Sequence, residues 1–386
     1  MGISSVIRAI RRGHIPPVGE VPEPFLDFLA SMASFRGKFQ KLTSQERIIA
    51  TFRHKEPDRV PVSPILCAGA RQISGITFPD YALDAKKAAR VFLDGFELVG
   101  GDVIILMLDL SVEAADFGQS VKYPENSTPM PDYTNPVLKH HDDYRRIKPV
   151  LLSNATRMKE FVKLCRIVVD EVGFRSIVSG FVFGPLGVLA MMRGAENLFK
   201  DCRLYPDKVK AACGVITESL VEFVLAQCEA GVSVIAIDTL FASRSGLPKE
   251  LWEELEGPFA KEISRAVKSM GRIVAIHNCG DSPYFDAQIR SVEPALINFS
   301  DLPDDCSSRL ELKRRYGDHI ILMGHIPTPL LVYGSPKDVI EECRRHIDDL
   351  APGGGYILSP GCEYPPNASL VNAFALIHAA KTYGRK

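Results

Sequence analysis

The chain has 386 residues, enough for two ordinary domains or one large α/β barrel. Its 46 basic and 47 acidic residues nearly cancel, which excludes wholesale binding to nucleic acid or to an anionic membrane surface. A hydrophobic content of 46% with 24% charged residues is that of a globular protein, and no apolar run approaches the roughly 18 residues a membrane-spanning helix needs. Nine cysteines in a chain of this length do not make a disulfide scaffold; the odd count without a secretory pattern points to a reducing cytoplasm.

In chain order, Ile3, Val6, Ile7 and Ile10 form a helical stripe beside Arg8, Arg11 and Arg12, read as a short appended helix. Pro16, Pro17, Pro22 and Pro24 mark a turn-rich connection to a second helical pattern over 25–40. Thr43-Ser44-Gln45-Glu46 is a capping box opening a further helix. From there, apolar runs predict strands at 61–67, 102–108, 176–181, 232–238, 272–277, 295–299, 319–323 and 355–359. Helical segments are predicted between them at 85–99, 157–172, 206–230, 248–270, 286–292, 306–316 and 336–350. Eight short apolar strands alternating with helices are the pattern of a buried parallel sheet closed into an α/β (β/α)8 TIM barrel. The expected organisation is an N-terminal helical extension over 1–41 and a barrel over 42–386. Residues 113–149, rich in Pro, Asn, Asp and His, are predicted to form a long excursion able to cover the barrel mouth.

Such a barrel carries its chemistry at the C-terminal ends of the strands. Asp109, Asp238, His277, Cys279, Asp301, His325 and Cys362 all fall there under this reading. His277-Asn278-Cys279-Gly280 and Ser359-Pro360-Gly361-Cys362 each follow an apolar run, and one imidazole with two thiols is a zinc donor set that leaves a fourth position open. The metal ligands expected are therefore His277, Cys279 and Cys362, with substrate, water, Asp238 or Glu363 as candidates for the fourth. Asp238 has two readings, a cap for the following segment and a catalytic group that handles a proton. Asp109 and Glu113 read as acid–base residues or loop anchors, and His140-His141-Asp142-Asp143 as a solvated helix cap. Residues 180–193, GFVFGPLGVLAMMR, match no phosphate loop and suggest an apolar wall near the mouth.

The stretches LTSQERIIATFRHKEPDRVPV, DLSVEAADFG at 109–118, FGPLGVLAMMRGAENLFKDCRLYPDKV at 183–209, IHNCGD at 276–281 and SPGCEYPPNASLVNAFALIHAAKTYGR at 359–385 together resemble the uroporphyrinogen decarboxylase superfamily. Where the decarboxylases carry an arginine-rich RQAGRY-type segment that grips porphyrinogen carboxylates, this chain has Cys67-Ala68-Gly69-Ala70-Arg71-Gln72 with a single arginine. The branch it most resembles is the zinc-dependent, corrinoid-linked methyltransferases of the methylcobalamin:coenzyme M type. That resemblance implies zinc on His277, Cys279 and Cys362, and a corrinoid supplied by a partner corrinoid protein. It implies methyl transfer between the corrinoid and a zinc-activated thiol. No D-x-H-x-x-G cobalamin motif is present, so a corrinoid held by this chain itself is not expected. The alternatives are the demethylating component of an O- or S-demethylase system, a metal-free decarboxylase, and a binding protein with structural zinc. Partners expected are the corrinoid protein and a small-molecule methyl donor or acceptor, and a homo-oligomer is compatible with the sequence.

Overall fold

The computed structural model describes residues 22–36 and 41–385. Seven strands lie in one sheet in chain order: β1 (Val103–Ile105), β2 (Ile177–Phe183), β3 (Val234–Asp238), β4 (Ile273–Asn278), β5 (Leu296–Phe299), β6 (Ile321–Ile326) and β7 (Tyr356–Pro360). Every neighbouring pair is parallel. β2, β3, β5 and β7 are buried along their whole length, as expected of strands covered on both faces by helices.

The eighth staves of the barrel is supplied by the chain around Val62. The Leu358 amide donates to the Pro61 carbonyl and the Ser63 amide to the Leu358 carbonyl, both at 2.9 Å. On the other side the Asp102 amide donates to the Val62 carbonyl at 2.7 Å. The sheet therefore closes, but the strand expected over 61–67 contracts to a single bridge, Val62 with Leu358. Pro61 and Pro64 have no amide hydrogens to extend a ladder, and the chain turns into a 3-10 segment at Cys67–Ala70.

A buried ionic knot holds this closure. The Asp102 carboxylate accepts from Arg47 Nη1 at 2.7 Å, Arg59 Nη1 at 2.8 Å, Ser44 Oγ at 2.8 Å and the Val62 amide at 2.9 Å. Burial raises the cost of its charge, but the two arginines prevail and hold the carboxyl below its ordinary value.

The helix α1 (Glu23–Arg36) packs on α2 (Ser44–Phe52), and Arg53 Nη1 donates to Glu23 at 2.5 Å. The Thr43–Glu46 capping box is formed. The stripe at Ile3–Ile10 lies outside the described residues. The helix expected over 248–270 is two, Lys249–Leu255 and Gly257–Ser269, because Pro258 begins the second. The excursion over 113–149 holds a short helix (Val112–Asp116), a two-stranded ribbon pairing Val121–Lys122 with Met130–Pro131, and a 3-10 turn at His141–Arg146. Among the described residues no helix is long and apolar enough to cross a membrane.

Candidate metal centre

Strand register assembles the site. Asp238 at the end of β3 pairs with His277 on β4, and His277 pairs with Asn298 on β5. Cys279 follows β4 and Cys362 follows β7. One ligand atom from each of His277, Cys279 and Cys362 lies within 4.8 Å of the others. Cys362 Sγ stands 3.8 Å from His277 Nε2.

The two glycines beside the thiols explain why these loops can meet. A Cβ on Gly361 would stand 2.4 Å from the Ser300 Cα, and one on Gly280 would stand 2.3 Å from Ser243 Oγ. The Gly361 amide donates to the Ile326 carbonyl at 3.0 Å and the Gly280 amide to Asn278 Oδ1 at 2.9 Å. Asn278 Nδ2 in turn donates to the Thr239 and Ala242 carbonyls, tying the loop after β3 to that after β4.

Asn298 decides the state of the imidazole. Its Nδ2 faces the carbonyl of Met323 at 3.1 Å, Ser359 Oγ at 3.2 Å and the carbonyl of Pro360 at 3.3 Å. Two of those partners can only accept, so the amide nitrogen must lie on that side and Oδ1 must face His277. His277 Nδ1, 2.7 Å away, therefore carries hydrogen and donates. Nε2, the nitrogen turned toward Cys362, is the one left to bind a proton or a metal ion. Sequence reasoning missed Asn298; the one polar side chain in the run Leu296–Phe299 was the available signal.

Without a metal the three donors share protons. Burial works against charge on His277, but the Cys362 sulfur and Asp238 push the imidazole up to about 9. The Cys279 thiol hydrogen-bonds to Cys362, which raises Cys279 and, against burial, holds Cys362 well below the ordinary thiol value. This is a thiolate–imidazolium arrangement whose protons a metal cation would replace. The donor set and its spacing fit zinc: an imidazole nitrogen that becomes a ligand once the metal displaces its proton, and two thiols, one ionised in advance.

Two carboxyls adjoin the trio. Burial pushes Asp238 up to about 6, with His277 acting the other way; one of its oxygens accepts from the Leu240 amide at 2.8 Å, so it caps the following loop as well as facing the site. Burial and the Cys362 charge push Glu363 up to about 8.

The other rim candidates serve the framework. Asp109 is paired with buried Arg157 and caps Ser111. Glu113 accepts from the Phe183 amide at the end of β2 at 3.0 Å. Asp301 accepts from the Ser282 amide at 2.9 Å. His325 packs on Phe299 and His346, away from the trio. His140, His141 and Asp142 lie close enough to hold an ion, but Lys208 already occupies them, 2.8 Å from Asp142 and 2.9 Å from His141 Nδ1, and the segment is the expected cap with Asp143 closing the box.

The trio opens on a cavity of about 400 Å³ that is the barrel lumen itself. Asp238, Asn298 and Glu363 share its upper wall; Leu110, Tyr133 from the excursion and Met191 from the predicted apolar wall form its rim.

The uroporphyrinogen decarboxylase (URO-D) family pattern matches residues 43–383. A methylcobamide:CoM methyltransferase, MtbA of Methanosarcina acetivorans, is 24% identical over 350 residues, covering 88% of this chain and 98% of its own. A uroporphyrinogen decarboxylase of Campylobacter lari is 23% identical over 312 residues, covering 78% and 87%. Among solved structures, a methyltransferase from Methanosarcina mazei superposes with a TM-score of 0.76 at 20% identity, over 88% of this chain and 99% of that one. The chain thus belongs to the uroporphyrinogen decarboxylase family, with a TIM-barrel fold it shares with that methyltransferase.

Proposed function

We propose that this protein is a zinc-dependent methyltransferase that moves a methyl group between a corrinoid, presented by a partner corrinoid protein, and a thiol. The observation that carries the reading is the His277–Cys279–Cys362 trio, with Asn298 fixing Nε2 as the free imidazole nitrogen. Similarity to a methylcobamide:CoM methyltransferase along nearly its whole length supports it. Residues 42–386 are the catalytic barrel in this reading, and 1–41 an appended segment.

His277, Cys279 and Cys362 would hold the ion beside the lumen that all three line. When bound there, zinc acts as a Lewis acid that lets a substrate thiol ionise near neutral pH. The remaining work belongs to the chain. Asp238, buried beside the trio, receives the thiol proton. The rim residues Leu110, Tyr133 and Met191 would meet the corrinoid methyl donor. The substrate sulfur attacks the methyl carbon; the carbon–cobalt bond breaks, its electron pair stays on cobalt, and a methyl thioether and Co(I) corrinoid result. Methyl removal from a thioether is the same path reversed.

A carboxylate-rich porphyrinogen is not favoured, because Arg71 lies over the Phe78 ring, 3.5 Å from its centroid, and is not part of the lumen wall. The test is methyl transfer from methylcobalamin to thiols by zinc-loaded protein, followed by the corrinoid spectrum. Thiol-dependent loss of methylcobalamin is expected from the wild type and not from Cys362→Ala. Equal rates in both, or metal-free decarboxylation as the sole activity, would overturn the reading.

A further inference from the structure

We infer that the thiol this site takes is uncharged and carries an apolar tail that occupies the barrel lumen, rather than a small anionic thiol such as coenzyme M. The inference rests on the proposed function and names its substrate class.

Three observations carry it. The first is that the lumen is hollow. TIM-barrel interiors are ordinarily filled by bulky branched side chains in layers. Here Ser179, Ala236 and Ala275 point inward at mid-barrel, and Ala236 and Ala275 are register partners on adjacent strands. Small residues side by side leave the space that Val, Ile or Leu would fill.

The second is size. An apolar cavity of about 150 Å³ accepts a benzene. One of about 400 Å³ therefore has room for a tail of roughly ten carbon atoms. The two methylenes of mercaptoethanesulfonate would leave most of it empty, and an empty apolar lumen forfeits both the transfer and the dispersion terms of burial.

The third is charge. Among the described residues no lysine or arginine lines the lumen. Beside the metal trio its ionisable wall is Asp238, Glu363, Cys67 and Tyr133, acidic groups that offer a sulfonate no counter-charge in either protonation state. Below them the surface is hydrocarbon and sulfur: Phe181, Met107, Met323 and Ile357. A buried anion without a cation or a donor set is strongly disfavoured there. The geometry suits a substrate whose sulfur sits at the trio and whose tail descends along the barrel axis.

Two measurements on the zinc-loaded protein test this. In the first, methylcobalamin is the methyl donor, and the acceptors are ethanethiol, 1-butanethiol, 1-hexanethiol and coenzyme M. The expected result is a kcat/KM that rises roughly threefold to fourfold per added methylene, with coenzyme M below 1-butanethiol. A flat series, or coenzyme M as the best acceptor, overturns the inference while leaving the methyltransferase reading standing. The second needs no turnover: displacement of the neutral fluorophore N-phenyl-1-naphthylamine by 1-hexanol and by methanesulfonate. Displacement by hexanol alone, abolished in Ala236→Phe and in Ala275→Leu, supports the lumen as the tail site. Displacement that survives in both variants, with their zinc content and melting temperature unchanged, overturns it. If no thiol is methylated at all, the proposed function fails, and displacement still decides whether the lumen takes an apolar tail.

Discussion

Replacing Asn298 with alanine tests the link between the barrel framework and the metal site. The amide accepts from His277 Nδ1 at 2.7 Å and is locked by the Met323 and Pro360 carbonyls behind it. Asn298→Ala leaves the Nδ1 hydrogen and those carbonyls without their partner and frees the ring to turn. A buried donor left unmatched costs about 1–3 kcal/mol, and loss of a residue that orients a metal-bound histidine typically weakens metal binding by about 10–100-fold. The same range, about 1.4–2.7 kcal/mol, is expected in zinc binding here. Competition for zinc against a chromophoric chelator would measure it, at fixed pH and under reducing conditions. Wild-type zinc affinity in a folded Asn298→Ala protein would refute the argument that Asn298 sets the state and direction of His277.

Gly361→Ala should lose zinc and stability together, since its Cβ would stand 2.4 Å from the Ser300 backbone and push Cys362 out of reach; elemental analysis and melting temperature report both. Asp102→Ala should lower the melting temperature sharply, because breaking a buried pair by removing one partner costs about 3–5 kcal/mol, and here it takes the carboxylate partner from Arg59 and leaves Arg47 with Asp58 alone. Glu113 gives a pH signature. Burial pushes its carboxyl up to about 7, above the unfolded value, so its protonated form is favoured in the fold and stability falls as pH rises from about 4.5 to beyond 7, by up to about 3 kcal/mol. Glu113→Gln should flatten the melting-temperature profile between about pH 5 and about pH 8; an identical profile would contradict that assignment. Thiol titration of the folded zinc form should find one accessible cysteine, Cys306, and removal of zinc should expose Cys279 and Cys362 as well, the other six being buried.

The barrel was legible because its strands are short apolar runs, and seven of the eight expected lie where the pattern placed them. The exception, 61–67, failed for a local reason: two prolines deny the ladder its donors, yet three backbone hydrogen bonds at 61–63 suffice to close the sheet. Pro258 likewise divides a helix that continuous amphipathic periodicity had joined. At the candidate site, the spacing of His277 and Cys279 and the Pro-Gly turn before Cys362 singled out three donors that the fold brings within 4.8 Å of one another. Asn298 left only the mark of a lone polar side chain in an apolar run, since its contact with His277 depends on parallel register with β4 and on carbonyls from two other strands. The lumen was equally hidden: Ser179, Ala236 and Ala275 read as ordinary small strand residues until strand pairing places them around one axis.

The most direct test of the central claim is zinc stoichiometry by elemental analysis of the protein purified under reducing, metal-replete conditions, alongside Cys279→Ala and Cys362→Ala. The account expects about one zinc per chain in the wild type and a loss in both variants that keeps the fold. A folded wild type without zinc, or variants that retain it in full, would contradict the account.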